Sequence, residues 1–245
     1  MKIFHNAVVY TSDNFTHAFA VEDGRFVAVG DEALALEGER FDLGGAFVCA
    51  GFNDSHMHLL NYGQALSMAP LAAHTGSLED MVDCLKNTRP DQLRRIADRK
   101  LHIYAQSIFL DYDVHIVHQR AGNELAASSY SWKTLLELGS TVSNGSDCPV
   151  EAPDVMAGIQ CAVTRSDLHG CAPYLPQEAF TVQEALDSFT KAGAYASFEE
   201  NIKGQIKPGH LSDFVILGEN PFLTPPDKLK DIPILQTWLN GERVW

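Results

Sequence analysis

The sequence has few positive charges and contains no run of basic residues. Lys and Arg number 18 against 32 Asp and Glu, which gives a formal net charge of -14 over 245 residues. A protein that binds nucleic acid must neutralise a row of phosphates with Lys and Arg side chains. The composition therefore excludes nucleic acid as an expected partner.

Long apolar runs and paired cysteines are also missing. No stretch of the sequence reaches the roughly 18 apolar residues that a membrane span needs, so no membrane partner is expected. The five cysteines are an odd number without CxxC spacing, and residues 1–10 lack the basic and then apolar order of a signal peptide. We therefore expect a soluble cytoplasmic protein. Its hydrophobic fraction of 45% is that of an ordinary globular chain.

Short runs of β-branched and aromatic residues fill both ends of the chain. Near the start, a Glu-Asp-Gly turn precedes Arg25–Val29, which is the pattern of a β-hairpin. Near the end, residues 211–217 and 235–239 have a similar strand-like composition. We predict that residues 1–50 and 204–245 pair into one β-sandwich.

Between these ends the pattern changes to alternating helices and strands, which is typical of a parallel α/β core. The predicted strands are 101–105 and 141–143, and the predicted helices are 78–86, 90–99, 132–138, 154–164 and 182–196. Residues 51–203 are predicted to form this second domain, so that the fold class is α/β.

Two histidines separated by one residue stand where the sandwich gives way to the α/β core. In a strand, His56 and His58 lie on the same face because side chains alternate with a period of two. Two imidazoles on one face can share a metal ion. An isolated HxH motif is more often a pair of ordinary histidines, but its position here favours the metal-binding interpretation.

A carboxylate follows the predicted strand 141–143, in the segment GSDCP at residues 145–149. Parallel barrels build their active sites at the carboxyl ends of their strands, where Asp147 is placed. An Asp before a turn is also a common N-cap or Asx-turn residue. The position alone leaves both interpretations open.

Taken together, residues 51–58, 145–149 and 204–217 resemble the amidohydrolase superfamily, specifically amidohydrolase family 3. The resemblance extends over essentially the whole chain. It implies a β-sandwich from both chain ends beside a (β/α)8 TIM-like barrel, with a metal-binding HxH on the first barrel strand. It also implies that the Asp closing the last strand is both ligand and proton shuttle. Those roles are carried over to His56, His58 and Asp147 as metal ligands, with Asp147 as the catalytic residue.

The length of the middle segment departs from the family pattern. Residues 59 to 100 give 42 positions between the HxH motif and the strand that resembles the family's seventh, whereas a single βαβ unit takes about 30 residues. This interval has no room for strands two to six. The acidic and histidine ligands that the family carries on strands four to six are therefore also absent. We therefore predict an incomplete barrel, interrupted near residue 88, that holds one divalent ion at most, expected to be zinc.

The resemblance implies a metal-dependent hydrolase that acts on non-peptide carbon–nitrogen bonds of a small amide-type substrate. Asp147 would take a proton from a metal-activated water and pass it to the leaving nitrogen. The alternative is an inactive remnant that keeps at most weak metal binding, because most of the loops that form substrate pockets in such barrels are absent.

Open strand edges lead to an expectation about assembly. Barrel strands one, seven and eight alone would form a three-stranded parallel sheet with two unpaired edges, which invite association. We predict a homo-oligomer joined through these edges, or else a poorly soluble, loosely packed protein.

The remaining histidines and the cysteines match no role in the family. His102 is predicted to lie on a strand, and the three-residue spacing of His115 and His118 suits one face of a helix. We predict that each is a structural or solvated histidine, and that the cysteines are small buried residues.

Overall fold

The computed structural model describes residues 1–57 and 90–245. Within these residues the chain divides into two compact units: unit 1 comprises Met1–Asn53 and Val182–Trp245, and unit 2 comprises Asp54–Thr181. His58 and the predicted helix at 78–86 lie outside the described residues.

The strands, in chain order, are β1 (Lys2–Tyr10), β2 (Phe15–Glu22), β3 (Arg25–Val29), β4 (Glu39–Asp42), β5 (Phe47–Ala50), β6 (Ile103–Ala105), β7 (Val142–Asn144), β8 (Phe214–Leu217), β9 (Ile234–Leu239) and β10 (Glu242–Arg243). The helices are α1 (Asp31–Leu34), α2 (Pro90–Asp98), α3 (Leu110–Asp113), α4 (Val117–Ala126), α5 (Trp132–Glu137), α6 (Val155–Thr164), α7 (Val182–Phe189) and α8 (Lys191–Ala196).

Strands from both ends of the chain share one sheet in unit 1. Its order is β10-β9-β8-β5-β1-β2-β3, and β4 also pairs with β1. β5 and β8 are antiparallel, with Phe47 opposite Leu217. The two chain ends are therefore joined by a continuous ladder of backbone hydrogen bonds.

An aromatic cluster gives this sheet its core. The Phe4 ring stacks on Phe19 with centroids 4.8 Å apart and meets Phe214 edge-on at 5.2 Å, while Phe214 stacks on Trp238 at 5.4 Å. All four side chains are buried. Burying such a side chain contributes roughly 1.5–3 kcal/mol, so the contact between Phe4 and Phe214 stabilises the pairing of the two chain ends.

Unit 2 contains a short parallel sheet. β6 and β7 run in parallel with Ile103 opposite Val142, as expected from the predicted strands 101–105 and 141–143. The helix predicted at 154–164 is α6, whose N-cap Asp154 accepts a hydrogen bond from the backbone N–H of Ala157 at 3.0 Å. The fold is mixed α/β, and the part of the chain that the structure describes contains no closed barrel.

Two predicted helices differ from the observed ones. The predicted helix 182–196 is divided into α7 and α8 at Thr190, whose φ of -124° and ψ of -92° are not helical. His115 lies before α4 rather than beside His118 on one helix face, because the backbone between α3 and α4 turns at Val114–Ile116. In the described ranges, no helix combines the length and the apolar character that crossing a membrane requires.

Candidate functional site

The segment that carries the first half of the HxH motif lies against the end of β7. The backbone N–H of Ser55 donates to the carbonyl of Asn144 at 3.0 Å, and the N–H of Asp147 donates to the carbonyl of His56 at 2.7 Å. Residues 51–57 form no regular strand, although the sequence pattern predicts one. Two backbone hydrogen bonds nevertheless hold this segment beside the GSDCP loop.

The carboxylate of Asp54 ties the same two segments together. Its Oδ1 accepts hydrogen bonds from the backbone nitrogens of Ser146 at 3.0 Å and of His56 at 3.2 Å. Its Oδ2 accepts a hydrogen bond from the Ser146 hydroxyl. No role for Asp54 is predicted from the sequence, where its position two residues before His56 is the available signal.

His56 and Asp147 come together at this point. His56 Nε2 lies 3.1 Å from Asp147 Oδ1, and the Asp147 side chain is only 3% exposed whereas that of His56 is 45% exposed. Asp147 has a φ of +56°, a left-handed conformation that few residues other than glycine adopt. Such a backbone persists only where the surroundings hold it, and here it directs a buried carboxylate toward a solvent-accessible imidazole.

The close approach of the two segments depends on a glycine. A Cβ atom at Gly145 would lie 2.5 Å from the backbone nitrogen of His56 and 2.8 Å from Asp54 Oδ1. Any side chain at this position would therefore push the segment of His56 away from β7. Only glycine fits at position 145, because the nearest atoms are largely backbone atoms, which cannot rotate away as a flexible side chain could.

The arrangement of His56 and Asp147 fits a shared metal ion. Two ligand atoms that each lie about 2 Å from a tetrahedral zinc ion are about 3.3 Å apart, close to the observed 3.1 Å. The same distance also suits a direct ion pair between the two side chains. Of the three predicted ligands, His56 and Asp147 are placed together and His58 lies outside the described residues.

His102 lies next to this region, at the start of β6. Its Nε2 is 2.8 Å from the hydroxyl oxygen of Ser143 on β7. Burial lowers the pKa of His102, because a charged imidazole loses hydration there. These features agree with the structural role that the sequence analysis proposed.

A second group of ligand-type side chains, absent from the sequence analysis, occurs elsewhere in unit 2. Ligand atoms of His115, Asp167 and Cys171 all lie within 4.8 Å of one another. Sequence spacing placed His115 with His118 and treated Cys171 as a small buried residue. The segment DLHGC at residues 167–171 was the available signal, since it places three potential ligands in one short loop.

Comparison with known proteins connects the chain to one family. A family model described as the amidohydrolase family matches residues 81–245. The Bacillus subtilis (strain 168) protein YtcJ, whose name assigns it provisionally to the amidohydrolases, is 32% identical over 155 residues, which are 62% of this chain and 29% of YtcJ. The N-substituted formamide deformylase of Arthrobacter pascens is 29% identical over 122 residues, covering 50% of this chain and 22% of that enzyme. The chain thus spans less than a third of the length of these relatives.

Solved structures show a similar fold at low sequence identity. An uncharacterised metal-dependent hydrolase from Pyrococcus furiosus has a TM-score of 0.73 and 14% identity, covering 90% of this chain and 99% of that one. An adenosine deaminase from Xanthomonas campestris with bound zinc has a TM-score of 0.59 and 12% identity, covering 99% of this chain and 92% of that one. At these identities the similarity shows the fold alone.

Proposed function

The chain belongs to the amidohydrolase family, and from this membership we propose that it is a metal-dependent hydrolase of non-peptide carbon–nitrogen bonds, with His56, His58 and Asp147 as metal ligands. The observation that carries the proposal is the 3.1 Å distance between His56 Nε2 and Asp147 Oδ1. Two groups of the right chemistry, 91 positions apart, meet where the sequence and the family resemblance place them. The name of the formamide deformylase supports an amide-type small molecule as the substrate class.

Each residue of the site has a distinct task. His56, His58 and Asp147 would hold a divalent ion, for which the zinc-containing protein of similar fold favours zinc, and the ion would supply a water of lowered pKa as the nucleophile. His56 contributes a neutral imidazole as a ligand, and Asp147 contributes a carboxylate. Asp147, whose side chain lies against that of His56, would take a proton from the water and pass it to the leaving nitrogen.

Asp54 and Gly145 act on this chemistry only through position. The Asp54 carboxylate accepts hydrogen bonds from the backbone nitrogens of His56 and Ser146. Gly145 leaves the space that the segment of His56 needs to lie this close. Both are positioning residues, since their contacts are with backbone atoms and with Ser146 rather than with a reacting group.

We extend the proposal to the architecture. The parallel pair β6 and β7 is proposed to correspond to the last two strands of an incomplete (β/α)8 barrel in residues 51–203. Residues 1–50 and 204–245 are proposed to form a β-sandwich. The parallel register of the pair and the fold of the similar structures support this assignment. With 42 residues between the HxH motif and residue 101, the predicted start of the seventh strand, the family site has ligands for one ion at most.

The second candidate is a remnant that binds metal weakly and does not turn over. It is favoured by the same interval of 42 residues, because the loops that line substrate pockets in barrels follow the strands that this interval is too short to contain. The two candidates share the metal ligands and differ in catalysis. We also propose the cytoplasm as the compartment in which either form is found.

Metal binding and turnover can be tested on the same variants. Metal-free protein is titrated with zinc, and bound ions are counted by elemental analysis for the wild type, His56→Gln and Asp147→Asn. Each variant is expected to bind one ion fewer per chain, whereas Asp98→Asn, at the exposed end of α2, binds as the wild type does. Equal ion counts in all four proteins would overturn the site.

Hydrolysis of N-formyl amines and cyclic amides by the zinc-loaded protein separates the two candidates. Turnover that is abolished by a chelator and by Asp147→Asn supports the hydrolase. Zinc binding that depends on His56 and Asp147, without turnover of either substrate class, supports the remnant.

A further inference from the structure

Three side chains of different ligand chemistry meet near the surface of unit 2, apart from His56 and Asp147. They are the imidazole of His115, the carboxylate of Asp167 and the thiol of Cys171, and one ligand atom of each lies within 4.8 Å of the others. His115 Nε2 is 2.9 Å from Asp167 Oδ2. Nitrogen, oxygen and sulfur donors of these types are the ones that bind Zn²⁺ in proteins.

One oxygen of Asp167 is anchored by the loop. Its Oδ1 accepts hydrogen bonds from the backbone N–H groups of Cys171 at 2.9 Å and of His169 at 3.0 Å. The second oxygen, Oδ2, faces His115. A buried carboxylate with one oxygen anchored and the other directed at an imidazole is suitably oriented as a ligand.

The sulfur of Cys171 is placed by the same loop. The backbone N–H of Asp167 donates to Cys171 Sγ at 3.3 Å, which holds the sulfur on the side of the loop that carries the Asp167 carboxylate. Cys171 is partly exposed and the His115 side chain is 52% exposed. An ion from solvent can therefore reach both.

Excess negative charge surrounds the cluster. Asp111 Oδ1 accepts a hydrogen bond from the backbone N–H of Leu168 at 2.6 Å. Burial raises the pKa of Glu151, and the nearby carboxylates of Asp111 and Asp113 raise it further. Within residues 1–57 and 90–245, neither these three carboxylates nor Asp167 forms an ion pair with a Lys or Arg. A group of acidic side chains without compensating cations attracts a positive ion.

We infer that His115, Asp167 and Cys171 form a second binding site for a divalent cation of the zinc type, with the remaining coordination position open to water. The site is independent of the proposed hydrolase function, because it shares no residue with His56, His58 and Asp147. An ion bound there would join the turn after α3 to the loop that follows α6, two segments 52 residues apart at His115 and Asp167. It would stabilise unit 2, since a ligand that binds only the folded state shifts the unfolding equilibrium.

Cobalt is the probe that distinguishes this site from the one at Asp147. Cobalt bound to a thiolate gives a charge-transfer absorption band in the near ultraviolet, which ligand sets of nitrogen and oxygen lack. The full chain, freed of metal with a chelator, is titrated with Co²⁺ while this band is recorded. We expect the band in the wild type, in His56→Gln and in Asp147→Asn, its loss in Cys171→Ser, and at least a tenfold weaker affinity in His115→Gln.

Cys49→Ser is the matched control, because Cys49 is a buried thiol of unit 1 and its replacement should leave the band intact. Circular dichroism establishes that each variant is folded, which His115→Gln is expected to be because the imidazole is largely exposed. A wild type without the band, or a band that persists in Cys171→Ser, would overturn the proposal.

A second readout does not depend on cobalt. Alkylation of Cys171 by iodoacetamide, followed by peptide mass spectrometry, should slow at least tenfold when zinc is added, and this protection should disappear in His115→Gln. An alkylation rate that zinc leaves unchanged would contradict the site and would identify His115 and Asp167 as a simple surface ion pair.

Discussion

The carboxylate of Asp54 accepts a hydrogen bond from the backbone nitrogen of Ser146 at 3.0 Å, across a sequence separation of 92 residues. The same carboxylate also accepts from the backbone nitrogen of His56 and from the hydroxyl of Ser146. One side chain thus holds both segments from which His56 and Asp147 project. The distance between these two proposed ligands depends on a residue that would itself bind no metal.

Replacing Asp54 should loosen both segments at once. Asp54→Ala leaves the N–H groups of the exposed His56 and the buried Ser146 without their acceptor. An unsatisfied buried donor, here that of Ser146, costs about 1–3 kcal/mol. We expect a loss of unfolding free energy in that range, measured by urea denaturation, and weaker zinc binding. Asp54→Asn keeps one oxygen acceptor and should lose less. Equal stability of Asp54→Ala and the wild type would show that the carboxylate does not hold the segments.

Gly145→Ala should displace the segment of His56 without removing any polar group. The added Cβ would lie 2.5 Å from the backbone nitrogen of His56, and forcing extra volume into a filled space costs about 1–3 kcal/mol. We expect lower stability together with the loss of one zinc ion per chain. Gly44→Ala is the control, because a Cβ at Gly44 has no neighbour within 4 Å and only its φ of +60° is unfavourable. It should lower stability while zinc binding is retained.

The stability of the protein should fall as the pH rises above 10. Burial is the main cause that raises the pKa of Tyr10 above its ordinary value of 10.0, and the negative charge of nearby Asp187 raises it further. The Tyr10 hydroxyl donates a hydrogen bond to Asp187 at 2.8 Å. Above pH 10 the unfolded chain releases this proton while the folded protein retains it, so stability decreases with pH.

Tyr10→Phe isolates this contribution. The variant loses a hydrogen bond to a charged group, which is worth about 1.5–3 kcal/mol at neutral pH, and its stability should fall less steeply above pH 10. Urea denaturation at pH 8 and above pH 10 measures both effects. Tyr112→Phe, at an exposed position, should behave as the wild type. Identical slopes for Tyr10→Phe and the wild type would contradict the assignment.

The edge of β6 provides a test of assembly. β6 pairs with β7 on one side, and no other strand in the described ranges pairs with it. An open edge favours association and a charged residue disfavours it. We expect an oligomer for the wild type in light scattering, and a shift toward monomer for Tyr104→Lys on this strand. A compact wild-type monomer with a sharp cooperative melt would refute association through this edge.

Local patterns were enough to predict most elements of the fold. The helix predicted at 154–164 is α6, and the strand-like run predicted at 211–217 contains β8. The helix at 182–196 was predicted as one element because its sequence favours helix throughout, whereas Thr190 interrupts it with a non-helical backbone. Such a break depends on what packs around the residue, which propensity does not record.

The sequence by itself determined the family and the residue types at the candidate site, because motif order is a property of the chain alone. The proximity of His56 to Asp147 comes from the tertiary structure, since residues 51–57 form no regular strand. Only the tertiary structure decided that Asp54 binds Ser146 across 92 residues, and that His115 lies beside Asp167 rather than beside His118 on a helix face. Hydrogen bonds and ligand distances of this kind depend on how turns and loops direct the backbone. A change of one turn at Val114–Ile116 would redirect His115 without altering any pattern in the sequence.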